Sequence, residues 1–527
     1  MPNYTNLDAT SSYKKLLSLA PRGRDFDFRT ALDGARVKKA IVPLGAGLTY
    51  SWAAKPIDEV LLDALQELSE EQEVLAKYRC ILDGDFMNSG ENRRVLHHLL
   101  RGQLGKPVVH EGRDLRAFYA GELDRLGSFA DTVHEGKLLG STGKKFDTVV
   151  QIGIGGSDLG PRALYLALEN WAEVQGKAKL SAQFISNVDP DDASQVLAKI
   201  NLETTIFVLV SKSGTTQETL ANELFVTAKL KKAGLSSAKH LVAVTSETSP
   251  LAHNPAYLDS FYIDDFIGGR YSSSSAVGGV LLSLAYGKQT FLDFLSGAHE
   301  ADKNALEKDI RKNAALLDAL IGVWERNVLS YPCTAVLPYC QALSRFPAHL
   351  QQLDMESNGK RVNRDGKKVS YATGPVVLGE PGTNGQHSFY QLLHQGTDIV
   401  PLQFVGFTDS LRGDDIELDG SSSQTKLKAN LIAQILAFAK GKDDANGNKE
   451  FPGSRPSSLI FGKALNPASL GALLAHFENK VMFQGFLWNL NSFDQEGVQL
   501  GKILTKKVLS GTSGDSSMDA YSELLSL

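Results

Sequence analysis

The run Ser211-Lys212-Ser213-Gly214-Thr215-Thr216-Gln217-Glu218-Thr219 sets five hydroxyls and one ammonium where an apolar stretch gives way to a helical pattern. Hydroxyls and the free amides of a helix N-terminus donate to phosphate oxygens, and Lys212 adds positive charge. No Walker lysine and no acidic ligand cluster accompany them. The chemistry suggested is a phosphate monoester held without magnesium. The competing reading is a helix cap, since Ser and Thr favour N-caps.

Four other stretches carry candidate chemistry. Arg270 follows Gly268-Gly269, and glycines let a backbone approach a ligand. An arginine there can stabilise a developing oxyanion, although the segment alone reads as a surface turn. Asp354 and Glu356 lie in the polar run 351–360; on extended chain they share a face, and a helix would separate them. A sheltered carboxylate can be a general base, but unaided this run reads as a solvated loop. His387 falls where a glycine-rich half turns helical, and His394 reads as structural. A histidine there can be an acid or base near neutrality, or a cap; both readings stay open. Lys502 sits in a weakly helical, glycine-containing stretch and by itself reads as a solvated lysine. Adjacent His97 and His98, on an expected basic helix 91–101, would point about 100° apart and make a poor metal pair.

These residues need a scaffold. Val149 to Pro161 reads as a buried strand, a glycine loop and a helix start, a place where an anion can sit. The spacing fits neither nucleotide fingerprint: Asp158 stands where a dinucleotide loop needs its last glycine, and Pro161-Arg162 follows where a Walker loop needs Lys-Ser/Thr. Short apolar runs at 146–154, 183–188, 205–210, 240–245 and 261–263 alternate with helical stretches. That alternation predicts a doubly wound parallel sheet with ligands at the strand carboxyl ends. Runs at 333–337, 375–378, 399–406 and 459–461 predict a second sheet of the same class. A helix from Pro467 with Asn466 as N-cap follows. Residues 1–120 read as mostly helical, with one amphipathic pattern over 56–78. The segment 509–518 reads as a loose loop before a final helix, 520–527. The expected domains are a helical part, 1–120, packing with the large domain; a small domain, 121–290; a large domain, 291–500; and a C-terminal arm, 501–527.

The chain has 527 residues, 42% hydrophobic and 22% charged, with net charge −5 from 55 basic and 60 acidic residues. That is ordinary for a soluble globular enzyme of two or more domains, and no basic stripe suggests nucleic acid. Neither a signal peptide nor a transmembrane helix is expected. Cys80, Cys333 and Cys340 are too few and too oddly spaced for a disulfide scaffold or zinc site, which fits a reducing cytoplasm.

Six stretches, GIGGSDLGP, SKSGTTQET, GGRYS, DMESNGK, GTNGQHSFYQLLHQG and FDQEGVQLGK, resemble, in order, the motif set of the phosphoglucose isomerases. The chain length and NSGENRRVLHHLLR fit the family's long form. The resemblance implies two sheets of the sugar-isomerase type and aldose–ketose isomerisation of glucose 6-phosphate and fructose 6-phosphate, with no metal or cofactor. It implies Glu356 as the base moving the C2/C1 proton and Arg270 as the cis-enediolate stabiliser. His387 and Lys502 would open the ring. Ser211, Lys212, Ser213, Thr216 and Thr219 would hold phosphate, and Gly156, Ser157, Gln352 and Gln495 would line the sugar. It also implies a homodimer in which the histidine reaches the site from the other subunit. Ser213-Gly214 and the polar Ser272–Ser275 depart from the family pattern. A non-catalytic sugar-phosphate sensor and an isomerase acting also on mannose 6-phosphate are the alternatives.

Overall fold

The computed structural model describes residues 2–511 and 514–527. Two sheets organise them. In the first, β3 (Thr148–Ile152), β4 (Ser181–Ile185), β5 (Thr205–Val210), β6 (Leu241–Thr245) and β7 (Asp259–Tyr262) are all parallel, in the order β4-β3-β5-β6-β7. Every residue of β3, β5 and β6 is buried, as a sheet covered by helices on both faces requires. The order reverses between β3 and β5, and a crevice opens there at the strand carboxyl ends.

The second sheet repeats this winding. Strands β8 (Cys333–Tyr339), β9 (Val376–Leu378), β10 (Leu402–Phe407) and β11 (Ser457–Gly462) are parallel, in the order β9-β8-β10-β11. An antiparallel hairpin, β1 (Ile41–Gly45) and β2 (Leu48–Ser51), extends it through β2 on β11. The first 120 residues thus carry this unexpected hairpin in addition to the expected helices. The hairpin is short, holds Pro43 on its edge strand, and turns through Ala46 and Gly47 at positive φ. Its alternating burial belongs to the second sheet's core.

The 56–78 pattern is two helices, Glu59–Glu71 and Val74–Leu82, broken at Glu73, which sits at φ 48°. Carboxylates at the break capture the N-terminal segment: Glu71 accepts from Ser11 and Ser12, and Glu73 from Asn3. The expected helix 91–101 is a turn followed by a single 3-10 turn, His97–Leu100. Its groups are spent on neighbours instead. Leu96 N donates to Phe266 O at 2.9 Å, and buried Arg101 pairs with Asp302 and Glu478. The helix Pro467–Leu487 starts at Asn466 with a reciprocal cap to Ser469 and runs through the core, buried along nearly its whole length. Of the expected loop 509–518, Thr512 and Ser513 lie outside the described residues. The last helix spans Ser516–Leu524 and so begins earlier than expected.

Candidate active site

Two loops leave the first sheet side by side at the crevice. After β3 the chain turns through Gly155 at φ 61° into the helix Leu159–Val174. A Cβ on Gly156 would stand 2.2 Å from the carbonyl oxygen of Gly269, so only glycine permits this contact. It presses the first loop against the 3-10 turn Gly269–Ser274, which carries Arg270. Ser157 is half-buried beside it.

The second loop, after β5, leads into the helix Gln217–Lys232. Thr216 occupies the N-cap position, yet its side chain does not cap the helix. Its hydroxyl instead accepts from Ser211 Oγ at 3.2 Å, and Ser213 Oγ accepts from Thr215 Oγ1 at 2.9 Å. Gly214 is needed at φ 65°, where a Cβ would meet Ser249 Oγ at 2.1 Å. Lys212 Nζ donates to Ile267 O at 3.3 Å and lies 3.7 Å from Asp265. Burial lowers its ammonium from the usual lysine range, and Asp265 opposes that shift. Ser211 and Thr219 are buried; Ser213 is exposed.

Arg270 is 1% exposed, not the surface residue its turn suggested. Its Nε donates to Ser357 Oγ at 2.6 Å, and Nη2 donates to the carbonyls of Ser492 and Asp494 at 2.6 and 2.9 Å. The serines after it are buried in the same turn. Ser272 Oγ donates to Gly269 O, and Ser275 caps the next helix at Val277.

The expected loop 351–360 is helical. The helix Phe346–Gln351 continues as a π-turn, Gln352–Glu356, which sends Asp354 into the interior and Glu356 toward Arg270. Glu356 Oε2 lies 3.5 Å from Arg270 Nη1 and accepts from Gln352 Nε2 at 3.1 Å. Gln352 in turn borders Gly155. A carboxylate beside a guanidinium that is locked by three other acceptors can move a proton next to a fixed positive charge.

Gly156, Ser157, Arg270, Gln352 and Glu356 thus come together, with the hydroxyl loop on the adjacent strand. Among the described residues, no hydrogen bond or ion pair ties the side chains of Gln495, His387 and Lys502 to this group, although Gln495 directly follows Asp494, whose carbonyl accepts from Arg270. Gln495 is exposed. His387 ends the 3-10 turn Asn384–His387, and Lys502 lies on the helix Gln499–Leu509; both are exposed. Neither has a side-chain hydrogen bond or ion pair among the described residues. Two supports escaped the sequence. Ser357 holds Arg270, and Lys360 pairs with Asp494, fixing the segment whose carbonyls Arg270 grips. Only the π-turn could have revealed Ser357. Among the described residues, no three His, Cys, Asp or Glu side chains are grouped to hold a metal ion.

A family model described as phosphoglucose isomerase matches residues 51–523. The chain belongs to the phosphoglucose isomerase family. It is 63% identical over 498 residues to a glucose-6-phosphate isomerase of Treponema denticola, covering 94% of each chain. It is 48% identical over 528 residues to one of Borreliella burgdorferi, covering 99% of each. A crystal structure of a glucose-6-phosphate isomerase from Chlamydia trachomatis superposes with a TM-score of 0.91 at 44% identity over 99% of each chain. The two-sheet, sugar-isomerase architecture is therefore that of the phosphoglucose isomerase family.

Proposed function

We propose that the chain interconverts glucose 6-phosphate and fructose 6-phosphate through an open-chain cis-enediolate. The observation that carries this is the Glu356 carboxylate set 3.5 Å from buried Arg270 and bonded to Gln352, which borders the glycine loop after β3. The proton on C2 of the open aldose lies α to the C1 carbonyl and is weakly acidic. Glu356 removes it, and the electron pair forms the C1–C2 double bond with negative charge on O1. Arg270 stabilises that charge. A proton passes from the C2 hydroxyl to O1, and Glu356 returns its own proton to C1, leaving the ketose. One carboxylate both takes and returns the proton, so this route calls for no metal.

Ser211, Lys212, Ser213, Thr216 and Thr219 hold the phosphate, whose binding energy orients C1 and C2. Gly156, Ser157, Gln352 and Gln495 line the sugar. Lys502 and His387 of the partner subunit open the ring by moving protons between the ring oxygen and the C1 hydroxyl. The exposure of His387 in a single chain supports a homodimer. Exposed Val498, Leu500 and Ile503 around Lys502 support a C-terminal arm that closes on another surface. We assign the small domain to 121–290 and the large domain to 291–500, with the 1–120 part adding β1 and β2 to the large sheet and the arm following from 501. Three free cysteines fit a cytoplasmic setting, and no helix among the described residues is long and apolar enough to cross a membrane.

A coupled assay on fructose 6-phosphate, run with and without EDTA and beside mannose 6-phosphate, tests this. Turnover of fructose 6-phosphate unaffected by EDTA is expected. Binding without turnover would leave a sensor, and faster turnover of mannose 6-phosphate would reassign the substrate.

A further inference from the structure

On the inner side of the Gln352–Glu356 turn, the large-domain core encloses a polar cavity. It leaves ≈ 30 Å³ for the centres of water-sized molecules, room for about two waters. Two buried atoms of lining residues, Asp354 Oδ1 and Gln484 Oε1, have no protein partner among the described residues, while Ser458 Oγ lies beside the Tyr50 hydroxyl. With Asp354 ionised both are acceptors and cannot satisfy each other. The nearby ammonium groups each direct two of their three donors to other acceptors. Lys480 Nζ donates to Gln403 Oε1 at 3.0 Å and lies 3.2 Å from Asp318, and Lys55 Nζ donates to both oxygens of Glu325. A buried acceptor left unpaired is costly, so the cavity calls for a small neutral donor.

We propose that this cavity is a permanent site for about two waters, and that through them Asp354 positions Glu356, two residues further along the same turn. The positioning claim rests on Glu356 being the base; the water site does not. Burial lifts the Asp354 carboxyl to about 6, against the attraction of Lys480 and a hydrogen bond from the Asn358 side chain, and with a further push from Asp318. His476, paired with Asp318, is itself held toward its neutral form by burial. The Lys55–Glu325 pair and Arg326, whose Nε donates to Thr373 O, complete the charged lining. The charge on Asp354, and with it the orientation of the waters, therefore changes near pH 6.

A high-resolution crystal structure of the unaltered chain tests the site. Waters within about 3 Å of Asp354 Oδ1 and Gln484 Oε1 are expected, and a dry cavity would overturn it. Kinetics test the positioning. Asp354→Asn lowers kcat about tenfold or more with KM nearly unchanged, and it removes from the kcat–pH profile an inflection near pH 6 that the unaltered enzyme shows. Gln484→Leu removes the other unpartnered acceptor of the cavity and gives the same kcat loss, so a misfolded Asp354→Asn leaves the claim testable. Unchanged kcat and profile in a folded variant would overturn the positioning role. Absence of isomerase activity in the unaltered chain would instead overturn the function and leave the water site standing.

Discussion

Arg270 and Glu356 face each other from different parts of the fold, with Nη1 and Oε2 3.5 Å apart. Arg270 rides on the turn after the first sheet, and Glu356 on a π-turn after the first parallel strand of the second. The guanidinium is anchored by Ser357, Ser492 and Asp494, so its charge would stay fixed while a base at Glu356, as proposed, took up and returned a proton.

That anchoring makes Arg270→Lys a severe change. An ammonium cannot reproduce a fork that reaches four acceptors. Steady-state kinetics should show kcat lower by about 10²–10³, with a much smaller change in KM. A kcat close to that of the unaltered enzyme would place the oxyanion elsewhere.

If His387 acts across a dimer, two dead variants should rescue one another. Glu356→Gln and His387→Ala homodimers are inactive, but a mixed dimer carries one site with Glu356 from one chain and His387 from the other. Unfolding and refolding an equal mixture should restore roughly a quarter of the unaltered activity, since half the dimers are mixed and each has one intact site. No recovery despite mixed-dimer formation would place His387 in its own chain's site.

Lys212→Ala tests the hydroxyl loop. A hydrogen bond to a charged group is worth about 1.5–3 kcal/mol, so KM for fructose 6-phosphate should rise roughly ten- to hundredfold. Inhibition by inorganic phosphate should weaken in parallel. An unchanged phosphate inhibition constant would contradict phosphate binding at this loop.

Glu71 gives a stability prediction. Burial pushes its carboxyl up, but hydrogen bonds from Ser12 and Ser11 outweigh this and hold it at about 2, against 4.5 unperturbed. A depressed carboxylate contributes stability above its unfolded value and loses that contribution as pH falls through the folded value. The Tm gap between the unaltered chain and Glu71→Gln should be full at pH 7 and shrink from pH 4.5 toward 2. A gap independent of pH would contradict the role of the charge.

Much of this was legible in residue order. Parallel strands buried on both faces read as unbroken apolar runs, so all nine parallel strands could be located within a few residues. Motif loops follow four of them, β3, β5, β7 and β9. What escaped was structure made by partners distant in sequence. The β1–β2 hairpin forms because β11 offers an edge. The 91–101 segment loses its helix to contacts with Phe266, Asp302 and Glu478. Arg270 looked like a surface residue because its acceptors lie at 357, 492 and 494. Gln495 was singled out only by resemblance, which also decided the open reading of His387 and the solvated reading of Lys502; in a single chain all three are exposed.

The most direct test of the proposed chemistry is Glu356→Gln, which preserves size and hydrogen bonding but cannot take a proton. Turnover of both glucose 6-phosphate and fructose 6-phosphate should be abolished while binding of 5-phosphoarabinonate stays measurable. Near-normal turnover by that variant would show that another group moves the proton between C2 and C1.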